Sequence, residues 1–372
     1  LDQASDAAAE LFARSGLVTG DRVLLAVRPG HDLIVGMFGL LKLGAVPVAI
    51  DPGMGWSSFL DCVRRSRPTG LVGLRSATLL SRLPLAAFRS LRQRVTVGGA
   101  AWCQALASAS PAPRPLAEVR PDTLAAILFT SGSTGAPKGV RYTHGMFDAQ
   151  IELVRQTYGI RPGEVDMPML PVFALFNPAL GMTTVTPMLD PTKPASADPA
   201  PIVAALISER VTNSFGSPAI WARIADHCAS HRLTLPHLRR VLIAGAPVPD
   251  GLLAQLQRLA PQAQIHTPYG ATECLPVSTI EATELLSTHR EQAHRGGGTC
   301  VGRAVAGVEI DAADLLDHAG LQVKGVRASL AGAQGLQINK AEATVSNLYG
   351  AANLAVADTR SPEASTVSAF QS

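Results

Sequence analysis

The chain has 372 residues, 47% of them hydrophobic and 16% charged, so it can build a substantial buried core and is not a wholly disordered protein. Its formal net charge of +3, carried by short basic groups such as Arg239-Arg240, excludes an evident nucleic-acid surface. The five cysteines (Cys62, Cys103, Cys228, Cys274, Cys300) form no C-x-x-C pair, which argues against a zinc site or disulfide framework and fits a reducing, cytoplasmic setting.

From its first residue, the chain has no basic, apolar signal sequence, and the absence of an initiator Met predicts an incomplete start. Apolar positions at Ala7, Ala8, Leu11 and Phe12 predict a helix over Leu1 to Ser15. Val23 to Val27 reads as a buried strand, His31 to Leu43 as a helix stopped at Gly44-Ala45, and Val46 to Ile50 as a second strand. The run Leu33 to Leu41 is about half the ~20 residues of a membrane span, so no transmembrane segment is expected. Strand, helix, strand in this order implies a parallel crossover. Further short strands are predicted at Leu71 to Leu74, Val95 to Val97, Ala125 to Phe129 and Val241 to Ala244. This alternation predicts an α/β fold with mostly parallel sheets packed by helices. Ala109 to Pro115 reads as a surface connection. Asp311 to Ser372, with Tyr349 and Phe370 as its only aromatics, lacks the alternation and is expected to form a weakly structured tail.

Phe129 to Val140 reads "FTSGSTGAPKGV" and follows the apolar run that starts at Leu124. It lacks the spacing of a Walker loop, because Lys138 is followed by Gly139 and not by Ser or Thr. Its chemistry still suits a polyphosphate. Gly132, Gly135 and Gly139 let backbone N–H groups approach an anion, Thr130, Ser131, Ser133 and Thr134 add hydroxyls, and Lys138 adds a cation.

The stretch closely resembles the phosphate-loop signature of the acyl-adenylate-forming enzymes, which include acyl-CoA synthetases, luciferases and peptide-synthetase adenylation domains. Other segments resemble that family in order: "LKLGAVPVAIDP" (Leu41 to Pro52), "GSPAIWARI" (Gly216 to Ile224), "AGAPVP" (Ala244 to Pro249) and "YGATECLP" (Tyr269 to Pro276). The resemblance implies an AMP-binding N-terminal domain over residues 1–310 that uses ATP and Mg²⁺. It places Thr130, Ser131, Gly132, Ser133, Thr134, Gly135 and Lys138 on the phosphates. Tyr269 and Gly270 would lie against the adenine, opposite Gly245, Ala246 and Pro247. Thr272 would bond the α-phosphate, and Glu273 would hold the Mg²⁺, a hard cation suited to carboxylate oxygen. Thr272, Glu273 and Lys138 are thereby the implied catalytic residues, while Gly216, Ser217, Phe173 and Phe176 are the implied substrate pocket. His144 would begin the helix after the loop, and His266 would either line the nucleotide pocket or sit satisfied in the core.

"PVFALFNPALGMTTVTPMLDPTKPASADP" (Pro171 to Pro199), together with "TPYGATECLPV", is similar to the olefin-pathway β-lactone synthetases. That likeness implies adenylation of a 2-alkyl-3-hydroxy fatty acid, closure to a β-lactone and an association with other olefin-pathway enzymes. A long-chain fatty acyl-CoA ligase, which would use CoA, stands as the alternative, and so does a non-catalytic nucleotide-binding remnant. Past Ile310 the family's ribose-binding Asp, hinge and small C-terminal domain with its catalytic Lys are not recognisable. Neither Lys324 nor Lys340 stands in such a context. A truncated or frameshifted end with weak turnover is the expectation.

Overall fold

The computed structural model describes all residues except 110–113, 131–136, 191–192, 273, 290–299, 311–323, 331–335, 338–340, 345–351, 357–366 and 372. It divides into two compact units, Leu1–Asp148 and Ala149–Ser372.

In chain order the first unit contains α1 (Asp2–Arg14), β1 (Arg22–Ala26), α2 (His31–Leu43), β2 (Val46–Ile50), α3 (Trp56–Ser66), β3 (Gly70–Gly73), α4 (Arg75–Leu80), β4 (Gln93–Thr96), α5 (Ala100–Ala107), β5 (Leu124–Thr130) and β6 (Lys138–Thr143). Its strands form one sheet in the order β4-β3-β1-β2-β5-β6. All neighbours are parallel except β5 and β6. Short apolar strands such as Val46-Pro-Val-Ala-Ile50 are buried on both faces, as parallel strands covered by helices must be. The core on one face joins Leu24, Val48, Leu71 and Ile127 to Val63 of α3 and to Phe88. Helix α2 ends at Gly44, whose φ of 74° is the left-handed conformation that closes a helix without a Cβ penalty.

Helix α6 (His144–Tyr158) starts in the first unit, and its remainder belongs to the second. There follow β7 (Val165–Pro168), α7 (Asn177–Leu180), β8 (Thr183–Thr184), α8 (Pro199–Ser208), β9 (Asn213–Gly216), α9 (Pro218–His231), β10 (Arg240–Ile243), α10 (Asp250–Leu259) and β11 (Gln264–His266). These strands make a parallel sheet in the order β11-β10-β9-β7-β8. Alternation along the strands sorts the side chains onto two faces. Met167, Val241, Ile243 and Ile265 pack with Ile202, Leu206, Trp221, Ile224 and Leu253 of α8, α9 and α10. Asp166, Asn213, Phe215 and Leu242 turn to the opposite face, where Gln150, Val154 and Tyr158 of α6 cover them. The expected α/β architecture with mostly parallel sheets is therefore present in both units.

A third sheet is antiparallel and starts from β12 (Tyr269–Ala271), β13 (Cys274–Thr279) and β14 (Cys300–Ala304). β15 (Val308–Ile310) pairs with β16 (Lys324–Leu330), which also pairs with β17 (Leu336–Gln337) and β18 (Ala341–Thr344). β19 (Ala352–Val356) pairs with β20 (Val367–Gln371), which joins β14.

Candidate active site

The phosphate-loop residues Ser131, Gly132, Ser133, Thr134 and Gly135 lie outside the described residues, as does Glu273. The stem of the loop is described. Thr130 and Lys138 face each other as the last pair of the β5–β6 hairpin, so both ends of the loop are fixed by a strand ladder. Gly139 lets the hairpin close, since a Cβ there would stand 3.0 Å from the Phe129 ring. The Arg65 guanidinium at the end of α3 donates to the carbonyl of Pro137, which ties down the exit of the loop. Lys138 itself is exposed. His144 opens α6, as expected, and burial holds its imidazole below the usual value against the opposing pull of Asp148.

In the second unit the remaining motifs gather at one edge of the sheet. β9, β10 and β11 are neighbours in register, with Ile243 opposite Gly216 and Leu242 opposite His266. Gly216-Ser217, Gly245-Ala246-Pro247 and Tyr269-Gly270 thus follow the carboxyl ends of three adjacent parallel strands, where open α/β sheets bind ligands. Gly245 turns with φ 94°, no atom stands within 4 Å of a Cβ added there, and Gly245, Ala246 and Pro247 are exposed. That open turn fits a flat base. Tyr269 is half-buried, and burial raises its phenol pKa. Gly216 faces the helix layer, where a Cβ would meet Trp221 Nε1 at 2.9 Å and Met169 Sδ at 3.0 Å. Ser217, at the N-terminus of α9, keeps its buried hydroxyl without a hydrogen-bond partner. The His266 ring meets Tyr158 edge-on at 5.3 Å, its buried Nε2 also lacks a partner, and burial lowers its pKa.

Gly270 matters through space. A Cβ at this position would lie 2.6 Å from the Cys274 carbonyl oxygen and 3.1 Å from Leu275 Cα, so the backbone of β13 would have to move. Gly270→Ala is expected to cost about 1–3 kcal/mol of stability. Thermal unfolding would check this, and a variant with wild-type stability would contradict it.

Between α6 and the sheet lies a small, almost entirely apolar pocket with a cavity volume of about 50 Å³. Phe173 and Phe176 both line it, and Phe173 stacks on Phe215 with ring centroids 3.9 Å apart. Pro268, Leu275 and Pro276 supply its wall from the segment that carries Tyr269 and Thr272. Gln150 of α6 donates to the Leu275 carbonyl at 2.7 Å and holds that wall in place.

Sequence reasoning missed a buried polar network on this same face. Asp166, only 3% exposed, accepts from Asn177 Nδ2 at 2.8 Å and from Asn213 Nδ2. Arg240 Nη1 donates to Asn213 Oδ1 at 3.2 Å and to Glu164 Oε2 at 2.8 Å. Burial pushes the Asp166 carboxyl up to about 6, against the lowering effects of the two asparagines and Arg240. The available signal was a lone carboxylate in the apolar run Val165 to Leu170.

Motifs at the carboxyl ends of three adjacent parallel strands, with an apolar pocket beside them, form the ligand-binding arrangement of an open α/β sheet. The profile of the AMP-binding enzyme family matches residues 1–326, and the chain belongs to that family. It is 43% identical over 356 residues to an olefin β-lactone synthetase of Xanthomonas campestris pv. campestris, covering 94% of this chain and 63% of that protein. It is 44% identical over 338 residues to an olefin β-lactone synthetase of Stenotrophomonas maltophilia, covering 88% of this chain and 60% of that protein. The chain thus spans less than two thirds of the length of these two relatives. The N-terminal domain of FACL13 from Mycobacterium tuberculosis shares the fold with a TM-score of 0.72 at 19% identity, over 88% of this chain and 80% of that one. Among the described residues, no helix is long and apolar enough to cross a membrane.

Proposed function

We propose that this chain carries the adenylating site of an enzyme that activates a 2-alkyl-3-hydroxy fatty acid with ATP and closes it to a β-lactone. The observation that carries the reading is the shared wall: the segment from Pro268 to Pro276 bounds an apolar pocket and also bears Tyr269 and Thr272. An acid with its chain in that pocket would present its carboxylate toward the nucleotide motif. The lactone product is taken from the two β-lactone synthetase relatives.

In this reading Tyr269 and the Gly245–Pro247 turn sandwich the adenine, while Lys138 and the loop hold the phosphates. Thr272 bonds the α-phosphate, and Glu273 would hold a Mg²⁺ ion that neutralises phosphate charge. The substrate carboxylate attacks the α-phosphorus and releases pyrophosphate, which leaves a mixed anhydride. The 3-hydroxyl of the same molecule then attacks the carbonyl, loses its proton and expels AMP. Holding nucleophile and carbonyl in one bound molecule is worth roughly 7–11 kcal/mol of barrier in favourable cases, part of it offset by ring strain. A pocket closed by Phe173, Phe176 and Phe215 would keep water from the anhydride.

The test uses the chain alone and the chain extended by the remaining segment of the Xanthomonas relative. ATP–pyrophosphate exchange and mass spectrometry, with and without CoA, should give β-lactone, AMP and pyrophosphate independently of CoA. Tyr269→Ala should weaken ATP binding in calorimetry. An acyl-CoA formed only with CoA, and no lactone in either reaction, would replace this reading with the ligase. ATP binding without exchange in both proteins would favour the non-catalytic remnant.

A further inference from the structure

The apolar pocket has a polar base in which the hydrogen-bonding groups answer one another. Asp166, Asn177 and Asn213 all line it and are between 2% and 4% exposed. Asn213 donates to Asp166 Oδ1, and Asn177 donates to Asp166 Oδ2 and to Thr184 Oγ1, each of the latter two at 2.8 Å. Asn213 Oδ1 is taken by Arg240, and Arg240 by Glu164. Each carboxylate oxygen of Asp166 accepts one of these bonds, and both N–H groups of the Asn177 amide are used.

The position along the strands is equally informative. Asn213 is the first residue of β9 and pairs with Asp166, whereas Gly216 is the last and marks the carboxyl edge that bears the nucleotide motifs. Three residue steps of strand separate them, about 10 Å. A chain entering from the carboxyl edge would run down β9 past Phe215 and meet the polar layer. To go further it would have to part these bonds and strand buried polar groups, which costs more than one extra methylene gains.

We propose that Asp166, Asn177 and Asn213 form the end stop of the acyl pocket and set the longest alkyl chain that it admits. The inference rests on the reading of this pocket as the acyl site.

The experiment measures 2-alkyl-3-hydroxy fatty acids of increasing alkyl length by ATP–pyrophosphate exchange and, without turnover, by displacement of a fluorescent fatty acid. The double variant Asp166→Ala/Asn177→Ala should raise the length limit, changing preference between successive lengths by about tenfold. Leu180→Phe, one turn of α7 from Asn177 and also lining the pocket, should lower the limit without touching the polar layer. Asp166→Asn, which keeps the shape, should leave the limit where it was. If the double variant does not fold, Leu180→Phe and Asp166→Asn decide. Folded Ala and Phe variants with the wild-type length profile would overturn the end stop. Length-limited binding that shifts as expected, with no exchange for any acid, would sink the adenylation reading and leave the end stop standing. Absence of fatty-acid binding altogether would overturn both.

Discussion

Lys138→Ala is expected to lower ATP–pyrophosphate exchange by about 10²–10³, the usual effect of removing one positioned donor from developing phosphate charge. Lys138 is exposed at the first position of β6, directly across from Thr130, so it stands at the mouth of the loop and not in the core. Its removal should therefore leave the fold nearly as stable as before, within about 0.5 kcal/mol. Lys138→Arg should recover part of the rate, because charge returns but the bulky planar guanidinium is not the compact point charge of an ammonium. The measurement belongs to whichever form of the protein, the chain alone or the extended chain, supports exchange. An Ala variant with wild-type exchange would remove Lys138 from the phosphate site.

Asp166 is expected to make stability fall as pH rises. Its carboxyl is held up to about 6 in the folded protein, above the 3.8 of the free group, mainly because burial disfavours the charge. The folded state thus keeps its proton over a window in which the unfolded state has lost it. The associated stability is fully present below about 4 and is lost as pH climbs through about 6. Two pKa units correspond to about 3 kcal/mol. Asp166→Asn has no charge to bury, though it gives up one acceptor to the neighbouring asparagines. Urea unfolding of both proteins between pH 4 and 8 should show the wild-type advantage shrinking by about that amount. Parallel curves would mean that Asp166 does not titrate as described.

Local signals were enough for the elements that carry the sites. The helix at His31–Leu43 and the strand at Val46–Ile50 fall where periodicity and Gly44 put them, because a helix stop in the left-handed region is a property of a few adjacent residues. Strand Leu124–Thr130 was equally legible from its apolar run. The turn back into β6 was not, since antiparallel pairing depends on what Lys138–Thr143 meets across the sheet. The motifs at Gly216, Gly245 and Tyr269 were found one at a time. Their meeting at adjacent strand ends is a consequence of strand order, which no local pattern encodes. The Asp166 network was hidden for the same reason. Glu164 and Asp166 sit at the start of β7, Asn177 on α7, Asn213 on β9 and Arg240 on β10, and their pairing needs these elements side by side.

The hairpin of β12 and β13 has two jobs at once. Ala271 pairs with Cys274 and Tyr269 with Ser278, so the strand bearing Tyr269, the proposed adenine wall, is paired with the strand whose Leu275 and Pro276 line the apolar pocket. On the proposed reading, a shift of either strand would be felt at both ligand sites. Reciprocity then governs the two ligands: whatever factor an occupied acyl pocket adds to nucleotide affinity, the nucleotide must return to acyl affinity in full. The order in which the two arrive alters the path and not the sum.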